Sequence, residues 1–555
     1  MNRAEKRRQQ KLAKKAGKKG GASSADELQA LVLNGHQLYQ NGQMAEAEAV
    51  YRQVLDIDPG HAEANHLLGV VAHQTARVEL AVELISKAVQ AMPGNAIYHL
   101  NLGNALNGLG RFKDALASYV RALVIQPEFA EAHSNRGNAE RDLGQLDAAL
   151  VSYRAAVALK PDFAEAHNNL GNLYRDLERP QDAVDSSQRA IAARPGYAAA
   201  YNNLGNGFRD LGRVDDAVAS YEAAIGLSPD FAKAHHNLSL GLLSMGDFGR
   251  GWAEYEWRWK SPDFPDEAYD YPHPRWNGED LTGKRIVVSA EQGIGDEIMY
   301  ASMLAELVVL AGPGGEVLVE CNDRMVSIFR RCIDGVTFVD KTAPPDRRLL
   351  GADIDFHIPM ASLCRYLRPD AGKFPSREGF LTGDVDRVDG LRRRYREWSD
   401  DRAVVGIAWR SGNAHSGIRR SIDLTHLHPI LSNPSCLFVN LQYGDVDDDL
   451  ARLKDQTGIE VRDDDEIDPL ADMDGFTAQV AAMDRVISID NSTVHMAGAL
   501  GVSVWTLLPF VADWRWMIDR NDSPWYPTMQ LFRQQTPGDW EGVIDRVADH
   551  VSEGI

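Results

Sequence analysis

Two hydrophobic patterns follow one another along the chain. Over about residues 26–260, small and apolar residues recur at helical spacing in units of constant length, which predicts paired amphipathic helices. From residue 284 onward, short runs rich in Val and Ile alternate with helical stretches; residues 286–288 and 486–489 are examples. Such runs are typical of strands buried in a parallel sheet. We therefore expect a helical array followed by an α/β region.

The helical array repeats every 34 residues. Three residue types share this interval: Pro59, Pro93, Pro127, Pro161, Pro195 and Pro229; Gly35, Gly69, Gly103, Gly137, Gly171 and Gly205; Ala47, Ala81, Ala115, Ala149, Ala183 and Ala217. The pattern resembles the tetratricopeptide repeat, which implies an α-solenoid with a concave face that binds a protein partner. Six units are regular. A seventh, with Ser239 and Gly251 in place of the glycine and the alanine, is degenerate. We expect the solenoid to cover residues 25–260, with the seventh unit as a cap that joins the next domain.

Asparagine also recurs in register with the repeat. The first row is Asn101, Asn135, Asn169, Asn203 and Asn237, and the second row is Asn104, Asn138, Asn172 and Asn206. A spacing of three residues places both rows on one helix face. Because an amide both donates and accepts hydrogen bonds, such a ladder can hold the backbone of an extended acceptor peptide. The arrangement resembles the asparagine ladder of O-GlcNAc transferases, which holds the acceptor protein. The alternative is hydrogen bonding between neighbouring repeats.

Nine short apolar runs predict strands in the second region. They cover residues 286–290, 316–321, 336–339, 354–358, 404–409, 437–441, 486–489, 502–508 and 531–534. Helices are expected between them, among them 297–310 and 324–332, and a closing helix at 540–551. The alternation predicts two doubly wound, Rossmann-like lobes, residues 284–385 and 404–555, joined by a linker at 386–403. An aromatic, proline-rich connector, residues 261–283, precedes them and should pack on the first lobe.

One turn of the second lobe has the composition of an anion site. The strand at 486–489 runs directly into Asp490, Asn491, Ser492 and Thr493, which favour helix N-caps, and small residues follow. A helix that begins in such a turn directs free N–H groups and a positive dipole end outward. We expect the diphosphate of a nucleotide sugar to bind here.

Three motifs together resemble one family. They are Glu291-Gln292-Gly293-Ile294-Gly295-Asp296, Arg419-Arg420-Ser421 and Asp490-Asn491-Ser492-Thr493-Val494-His495. From about residue 284 the chain resembles the heptosyltransferase-type (family 9) GT-B glycosyltransferases, in the branch fused to tetratricopeptide repeats. The resemblance implies a GT-B fold with the acceptor on the first lobe and the donor on the second. That family usually has a glycine near Ser492 and a Lys-Arg pair near residues 419–420. This chain departs from both patterns, so the identity of the donor sugar stays open.

The motifs suggest roles for individual residues. The resemblance marks Asp296 as the general base; the alternative is an N-cap of the following helix, and Glu291 and Glu297 are reserve candidates. Arg420, then Arg419, and the nearby Arg410 would face the charge of the leaving diphosphate. Ser492, Thr493 and His495 would hold the donor, with Gln442 lining its base pocket. A segment of aromatic residues at 509–527 forms either a wall for the sugar or an interface with the repeats.

Charge and composition restrict the other possibilities. The net charge is −21, although the first twenty residues carry nine Lys and Arg against one Glu. An acidic body argues against nucleic acid as the main partner, and residues 1–24 are expected to be a basic disordered tail. Four cysteines without CxxC spacing, no apolar run of about 18 residues and no signal peptide favour a cytoplasmic protein with reduced thiols. Neither a metal nor a cofactor is expected, because GT-B chemistry generally uses fixed cations and a helix dipole.

These observations favour an enzyme that moves a sugar from a nucleotide-sugar donor to Ser or Thr of a polypeptide held by the solenoid. In function, the chain resembles the bacterial flagellin glycosyltransferases that carry a repeat domain. One alternative is transfer to a lipid-linked or cell-envelope saccharide, and another is a repeat scaffold with a retired GT-B domain. The stereochemical outcome, the nucleotide base and the oligomeric state stay open.

Overall fold

The structure is a computed structural model that describes residues 24–262, 264, 270–412 and 417–554. The expected basic tail therefore lies outside the described residues, apart from Ser24. The described part of the chain forms two compact units, and the boundary lies between Gly207 and Phe208.

The first unit is built from antiparallel helix pairs. Its helices are Ser24–Gln40, Met44–Ile57, Ala62–Gln74, Val78–Ala91, Ala96–Gly108, Phe112–Ile125, Ala130–Asp142, Leu146–Leu159, Ala164–Asp176 and Pro180–Ala193, followed by Ala198–Asp210, which runs into the second unit. The pairs follow the 34-residue period, so the prediction of an α-solenoid is confirmed.

The recurring residues explain why the helices pair. A Cβ added to Gly103 would lie 2.4 Å from the ring of Tyr119, and one added to Gly137 would lie 2.7 Å from the ring of Tyr153. Only glycine therefore allows the tyrosine of the second helix to pack on the first. The alanines at the crossings are fully buried. Four of the closing prolines also have a structural role. The carbonyl oxygens of Pro93, Pro127, Pro161 and Pro229 bond the histidine ring six residues later, at 2.9 Å for Pro93 and His99. The carbonyl of Pro59 instead accepts an N–H of the Asn65 side chain at 2.9 Å.

The second unit begins with the end of the repeats. Its first helices are Val214–Leu227, Ala232–Ser244 and Phe248–Tyr255, continued by the 3₁₀ helix Glu256–Lys260. Helices Ala232–Ser244 and Phe248–Tyr255 are the seventh pair, and this pair lies in the core of the α/β region. Trp252 donates its indole N–H to the carbonyl of Arg368 at 2.8 Å, and its ring meets Trp514 edge-on at 5.3 Å. Arg258, fully buried, pairs with buried Glu291 at 2.7 Å.

In the part of the chain that the structure describes, nine strands form two parallel sheets. The strands are β1 Arg285–Ser289, β2 Glu316–Cys321, β3 Val336–Asp340, β4 Phe356–Pro359, β5 Ala403–Ala408, β6 Cys436–Asn440, β7 Arg485–Ile489, β8 Ser503–Leu508 and β9 Met529–Arg533. The first sheet has the order β3-β2-β1-β4, and the second has the order β6-β5-β7-β8-β9. In register, Ile286 stands opposite Val317, and Ile407 stands opposite Ile487. The prediction of an α/β region with parallel sheets is confirmed.

Helices connect the strands. They are Ile294–Ala301, Leu304–Ala311, Asp323–Cys332, Cys364–Leu367, Val385–Ser399, Gly417–Arg420, His428–Leu431, Asp447–Thr457, Met473–Ala481, Ser492–Ala499 and Trp540–Glu553, with 3₁₀ helices Arg347–Leu350, Met360–Leu363, Ala371–Lys373, Leu424–Leu427 and Trp514–Trp516. The helix expected at 297–310 is in fact two, and the first begins at Ile294. The expected linker at 386–403 consists mostly of helix Val385–Ser399, whose cap Asp384 accepts the N–H of Arg387 at 3.0 Å.

The connector before the first sheet packs on that sheet. Tyr271 stacks on His357 of β4 with ring centroids 4.3 Å apart, and Trp276 contacts Tyr366 at 4.6 Å. Backbone bonds add to this packing, because Trp276 donates its N–H to the carbonyl of His357. The connector is therefore part of the folded unit where it is described.

Each sheet reverses its strand order once, beside β1 and beside β5. The loops after the strands that flank such a point separate and leave a crevice at the carboxyl edge of the sheet. The loop after β1 begins the first motif, and the loops after β5 and β7 contain the other two. The topology thus collects the three motifs at strand ends.

Candidate functional site

A cavity of about 770 Å³ lies at these strand ends in the second unit. Its walls come from the loops after β1, β5, β6, β7 and β8 and from the seventh repeat. The lining residues are His236, Leu240, Tyr255, Phe264, Gln292, Gly293, Ile294, Gly295, Asp296, Ile298, Arg324, Ser411, Arg420, Tyr443, Pro469, Leu470, Met473, Phe476, Asp490, Asn491, Ser492, His495, Met496, Asp513, Trp514 and Arg515. Its size is typical of a small-molecule site.

The turn after β7 caps the helix Ser492–Ala499, as the sequence predicts. Asn491 is the capping residue, and its Oδ1 accepts the N–H of Thr493 at 3.0 Å. Ser492 lines the cavity. Thr493 is fully buried beneath the turn, and its hydroxyl has no hydrogen-bond partner among the described residues. The turn therefore presents Ser492 to the cavity, whereas Thr493 is not among the residues that line it.

Two helices approach each other closely at this site because one of them has a glycine at the contact. A Cβ added to Gly295 would lie 2.9 Å from Cδ2 of His495, so helix Ile294–Ala301 comes close to helix Ser492–Ala499 only because residue 295 is glycine. His495 is buried, and its Nδ1 lies 3.0 Å from the hydroxyl of Tyr526. Burial lowers the pKa of His495 to about 3, so the ring is neutral at physiological pH.

Asp296 lies on the third residue of its helix, with both carboxylate oxygens in contact with donors. Oδ2 accepts the N–H of Gly293 at 3.1 Å, so Asp296 does cap the helix, although that helix begins earlier than expected. Oδ1 forms an ion pair with Arg515. Burial raises the pKa of the Asp296 carboxyl above its ordinary value, and Arg515 counteracts part of the rise.

Arg420 belongs to a chain of alternating charges. Its guanidinium lies 3.1 Å from Asp490 and 3.6 Å from Asp513, and Arg515 lies 2.6 Å from the other oxygen of Asp513. Burial disfavours the charged form of Asp513, but Arg515 and Arg420 outweigh burial and hold the pKa of that carboxyl below its ordinary value. Two arginines therefore face three carboxylates along one side of the cavity.

Besides Thr493, three other predicted donor residues do not line the cavity. The guanidinium of Arg410 is directed elsewhere, because it lies 3.3 Å from Asp449 and donates to the carbonyl of Asp445. Gln442 is buried, and its Oε1 accepts the N–H groups of Trp409 and Arg410 at 3.0 and 2.7 Å, which joins two strand ends. Arg419 is exposed and does not line the cavity.

The reserve candidates for the base are also engaged elsewhere. Glu291 pairs with Arg258 and accepts the N–H of Ala361 at 2.8 Å. Glu297 accepts the N–H of Asn322 at 2.8 Å, and burial raises the pKa of Glu297 to about 7. Neither residue lines the cavity.

The structure adds residues that sequence reasoning did not select. Asp513 and Arg515 lie in the aromatic segment after β8, and Arg324 lies in the first turn of helix Asp323–Cys332. His236 and Leu240 come from the seventh repeat, which was expected only to cap the solenoid. The degeneracy of that repeat was the one sequence signal that it differs from the others.

The asparagine ladder forms hydrogen bonds between repeats. Nδ2 of Asn135 donates to Oδ1 of Asn104 at 2.8 Å, and Nδ2 of Asn169 donates to Oδ1 of Asn138 at 2.9 Å. Tyrosine hydroxyls from the second helices, Tyr119 and Tyr153, donate to the same two oxygens.

The other ladder positions differ from this scheme. Asn203 donates to Asn168, and Asn101 contacts His66, both at 2.8 Å. Asn206 is buried, Asn172 is half-buried, and Asn237 lies in the second unit. For much of the ladder, the structure thus shows the alternative, which is hydrogen bonding between neighbouring repeats.

Neither a metal-binding cluster nor a membrane-spanning helix is found in the residues that the structure describes. Within the described ranges, three or more His, Cys, Asp or Glu side chains nowhere come together in a way that could hold a metal ion. No helix in the described part of the chain is long and apolar enough to cross a membrane.

Comparisons with known proteins identify the repeats. Family models described as TPR repeat match residues 103–139 and 137–178, and models described as tetratricopeptide repeat match residues 38–99, 168–232 and 202–248. The chain therefore carries tetratricopeptide repeats between residues 38 and 248.

One curated relative and several solved structures are similar. Protein FlbA of Caulobacter vibrioides is 33% identical over 311 residues, which is 54% of this chain and 52% of that protein, so the chain spans about half the length of this relative. MamA is 26% identical and matches 30% of this chain and 97% of its own, with a TM-score of 0.27. PilF of Pseudomonas aeruginosa is 20% identical over 39% of this chain and 98% of its own, with a TM-score of 0.35.

Proposed function

We propose that the protein is a glycosyltransferase of the GT-B type that moves a sugar from a nucleotide-sugar donor to a polypeptide hydroxyl. One observation carries the proposal: a carboxylate at the end of one parallel sheet shares a cavity with a helix N-terminus and two arginines at the end of the other. That arrangement supplies a base on one side and positive charge on the other.

The donor side would hold the diphosphate. Helix Ser492–Ala499 begins at the cavity, which Asn491 and Ser492 line, and a helix N-terminus favours anions. Arg420 is about a quarter exposed, so its guanidinium is accessible to a ligand. Because a diphosphate brings two or more negative charges, it can compete with Asp490 and Asp513 for this side chain.

The acceptor side would hold the hydroxyl. Its oxygen attacks the anomeric carbon of the donor sugar as the bond from that carbon to the phosphate oxygen breaks. The hydroxyl proton passes to Asp296, and the electron pair leaves with the diphosphate, whose charge Arg420 stabilises. The Asp296 carboxylate can still accept that proton. Gly293 bonds one lone pair of one oxygen, and Arg515 bonds one lone pair of the other, so each oxygen keeps a free lone pair.

The ladder supports a polypeptide as the acceptor. Its inter-repeat bonds use the oxygens of Asn104 and Asn138 and one N–H of Asn135 and Asn169. The oxygens of Asn135 and Asn169 and the side-chain N–H groups of Asn138 keep the capacity to bond a peptide, and the network fixes their orientation. Flagellin is one acceptor to include among those tested.

The test is a ligand screen on the full chain. Tryptophan fluorescence reports the second unit alone, because all 11 tryptophans lie at or after residue 252. We expect one class among UDP-, GDP-, ADP- and CMP-sugars to raise the fluorescence melting temperature, since a ligand that binds only the folded state stabilises it. Asp296→Asn should retain that shift but lose transfer to the acceptor. No shift with any donor would favour a repeat scaffold without transferase activity.

A further inference from the structure

The carboxylate of Asp296 has little freedom to rotate, because both of its oxygens are bonded. The side chain is 19% exposed, and that of its partner Arg515 is 11% exposed. One oxygen is held by the backbone of Gly293 and the other by Arg515, so a shift of either partner would turn the carboxylate. The direction in which Asp296 faces the cavity thus depends on where Arg515 is held.

Arg515 is held from several sides. Its Nη1 bonds Asp513 at 2.6 Å, and its guanidinium lies 4.6 Å from the ring centroid of Trp514. Its Nη2 contacts both Asp296 and Oε1 of Gln292, the latter at 3.1 Å. A planar fork that makes this many contacts has a single orientation.

Gln292 connects Arg515 to the last repeat. Its Nε2 donates to the hydroxyl of Tyr255 at 2.7 Å, and Tyr255 ends helix Phe248–Tyr255. The backbone of Gln292 has φ of +65°, an unfavourable conformation for a residue with a side chain. Such conformations persist where the surroundings fix them, and they concentrate at functional sites.

We infer that Arg515 is the positioning residue of Asp296, and that Tyr255 of the last repeat holds Arg515 in place through Gln292. The inference rests on the proposed function, in which Asp296 is the base. It makes the end of the solenoid a part of the catalytic apparatus. The charged or titratable groups that share the cavity with Asp296 or lie beside it are Arg515, Asp513, Asp490, Arg420, Arg324, His495 and Glu297.

The first experiment measures the pH dependence of transfer with the donor that gives turnover in the screen. A neighbouring cation keeps a carboxylate ionised, and a base must be ionised to act. In Arg515→Met we expect the acid limb of kcat/KM to move to higher pH by at least about one unit. Arg515→Lys keeps the charge but loses the fork, so its acid limb should stay near that of the wild type while kcat falls.

The second experiment tests the link to the repeat. Tyr255→Phe removes only the hydroxyl that holds Gln292, and we expect kcat to fall by up to about 100-fold while the KM for the donor is unchanged. Tyr300→Phe is the matched control. That tyrosine is also fully buried, and its hydroxyl has no hydrogen-bond partner among the described residues. Equal kcat in the two variants would overturn the link.

A third measurement does not depend on turnover. Fluorescence melting temperatures of Arg515→Met, Asp296→Asn and the double variant form a thermodynamic cycle. We expect the second substitution to relieve much of the loss caused by the first, because Asn leaves no unpaired charge. Additive effects would show that the two side chains do not interact. If the two substitutions are coupled but the wild type transfers no sugar, the proposed function is refuted and the pair of side chains has only a structural role. An unchanged acid limb in an active Arg515→Met would also overturn the inference.

Discussion

At the scale of single residues, the close contact at Gly295 determines whether the two sides of the site come together. Gly295 allows two helices from different sheets to approach, and His495 is neutral because it is buried in that approach. The carboxylate and the capped turn can therefore share one cavity. A residue with no functional group thus determines whether the functional groups meet.

Gly295→Ala is expected to lower both stability and transfer. The new Cβ would lie 2.9 Å from His495, and overpacking of this kind costs about 1–3 kcal/mol. Urea unfolding followed by tryptophan fluorescence measures the loss. Gly390→Ala is the control, because nothing lies within 4 Å of a Cβ added in the middle of helix Val385–Ser399. It should leave stability unchanged or raise it by about 0.5–1 kcal/mol. A Gly295→Ala variant as stable as the wild type would contradict the packing argument.

At the scale of elements, the local patterns predicted most of the fold. A strict period and runs of β-branched residues are properties of neighbouring residues, so the helix pairs and the nine strands follow from the sequence. The motif residues Asp296, Arg420, Ser492 and His495 do line one cavity.

Long-range contacts account for what the sequence did not predict. Arg515 pairs with Asp296 across 219 positions, and no motif contains it. Arg410 and Gln442 stand at strand ends as expected, but a strand end does not specify which way a side chain points, and both side chains bond protein groups outside the cavity. The repeat period likewise could not show that the seventh pair lines the site.

The ladder gives a prediction at this scale. Replacing Asn135 and Asn169 together by Ala removes two bonds to the preceding repeats, each worth about 1 kcal/mol, and should abolish acceptor binding. Far-UV circular dichroism measures the stability of the helices, and isothermal titration with the acceptor measures binding. Donor-induced shifts of tryptophan fluorescence should not change. Unchanged acceptor binding would leave the ladder as an inter-repeat network alone.

At the scale of the whole molecule, the second unit combines two sheets with the last helix pair of the repeats. Arg258, Glu291 and Ser362 join that pair to the loops after β1 and β4 through fully buried bonds of 2.7–2.9 Å. An ion pair buried to this degree is sensitive to the loss of one partner, since the other charge stays in a medium of low polarity.

Arg258→Met should therefore destabilise the second unit by about 3–5 kcal/mol. The expected result is a lower urea midpoint by tryptophan fluorescence. Combining it with Glu291→Gln should recover part of the loss, because a neutral amide then replaces the unpaired buried carboxylate. Arg250→Met, which removes an exposed pair with Glu222, is the control and should have an effect of less than about 1 kcal/mol. Equal effects of the two single substitutions would contradict a role for burial.

The position of the last repeat in this core has a practical consequence for recombinant work. A fragment cut at the start of β1 would carry Glu291 without its arginine and would leave the surface that Trp252 covers open to water. Such a fragment would aggregate although it contains both sheets. A fragment that keeps these contacts has to include the last helix pair, and the compact unit that contains this pair begins at Phe208.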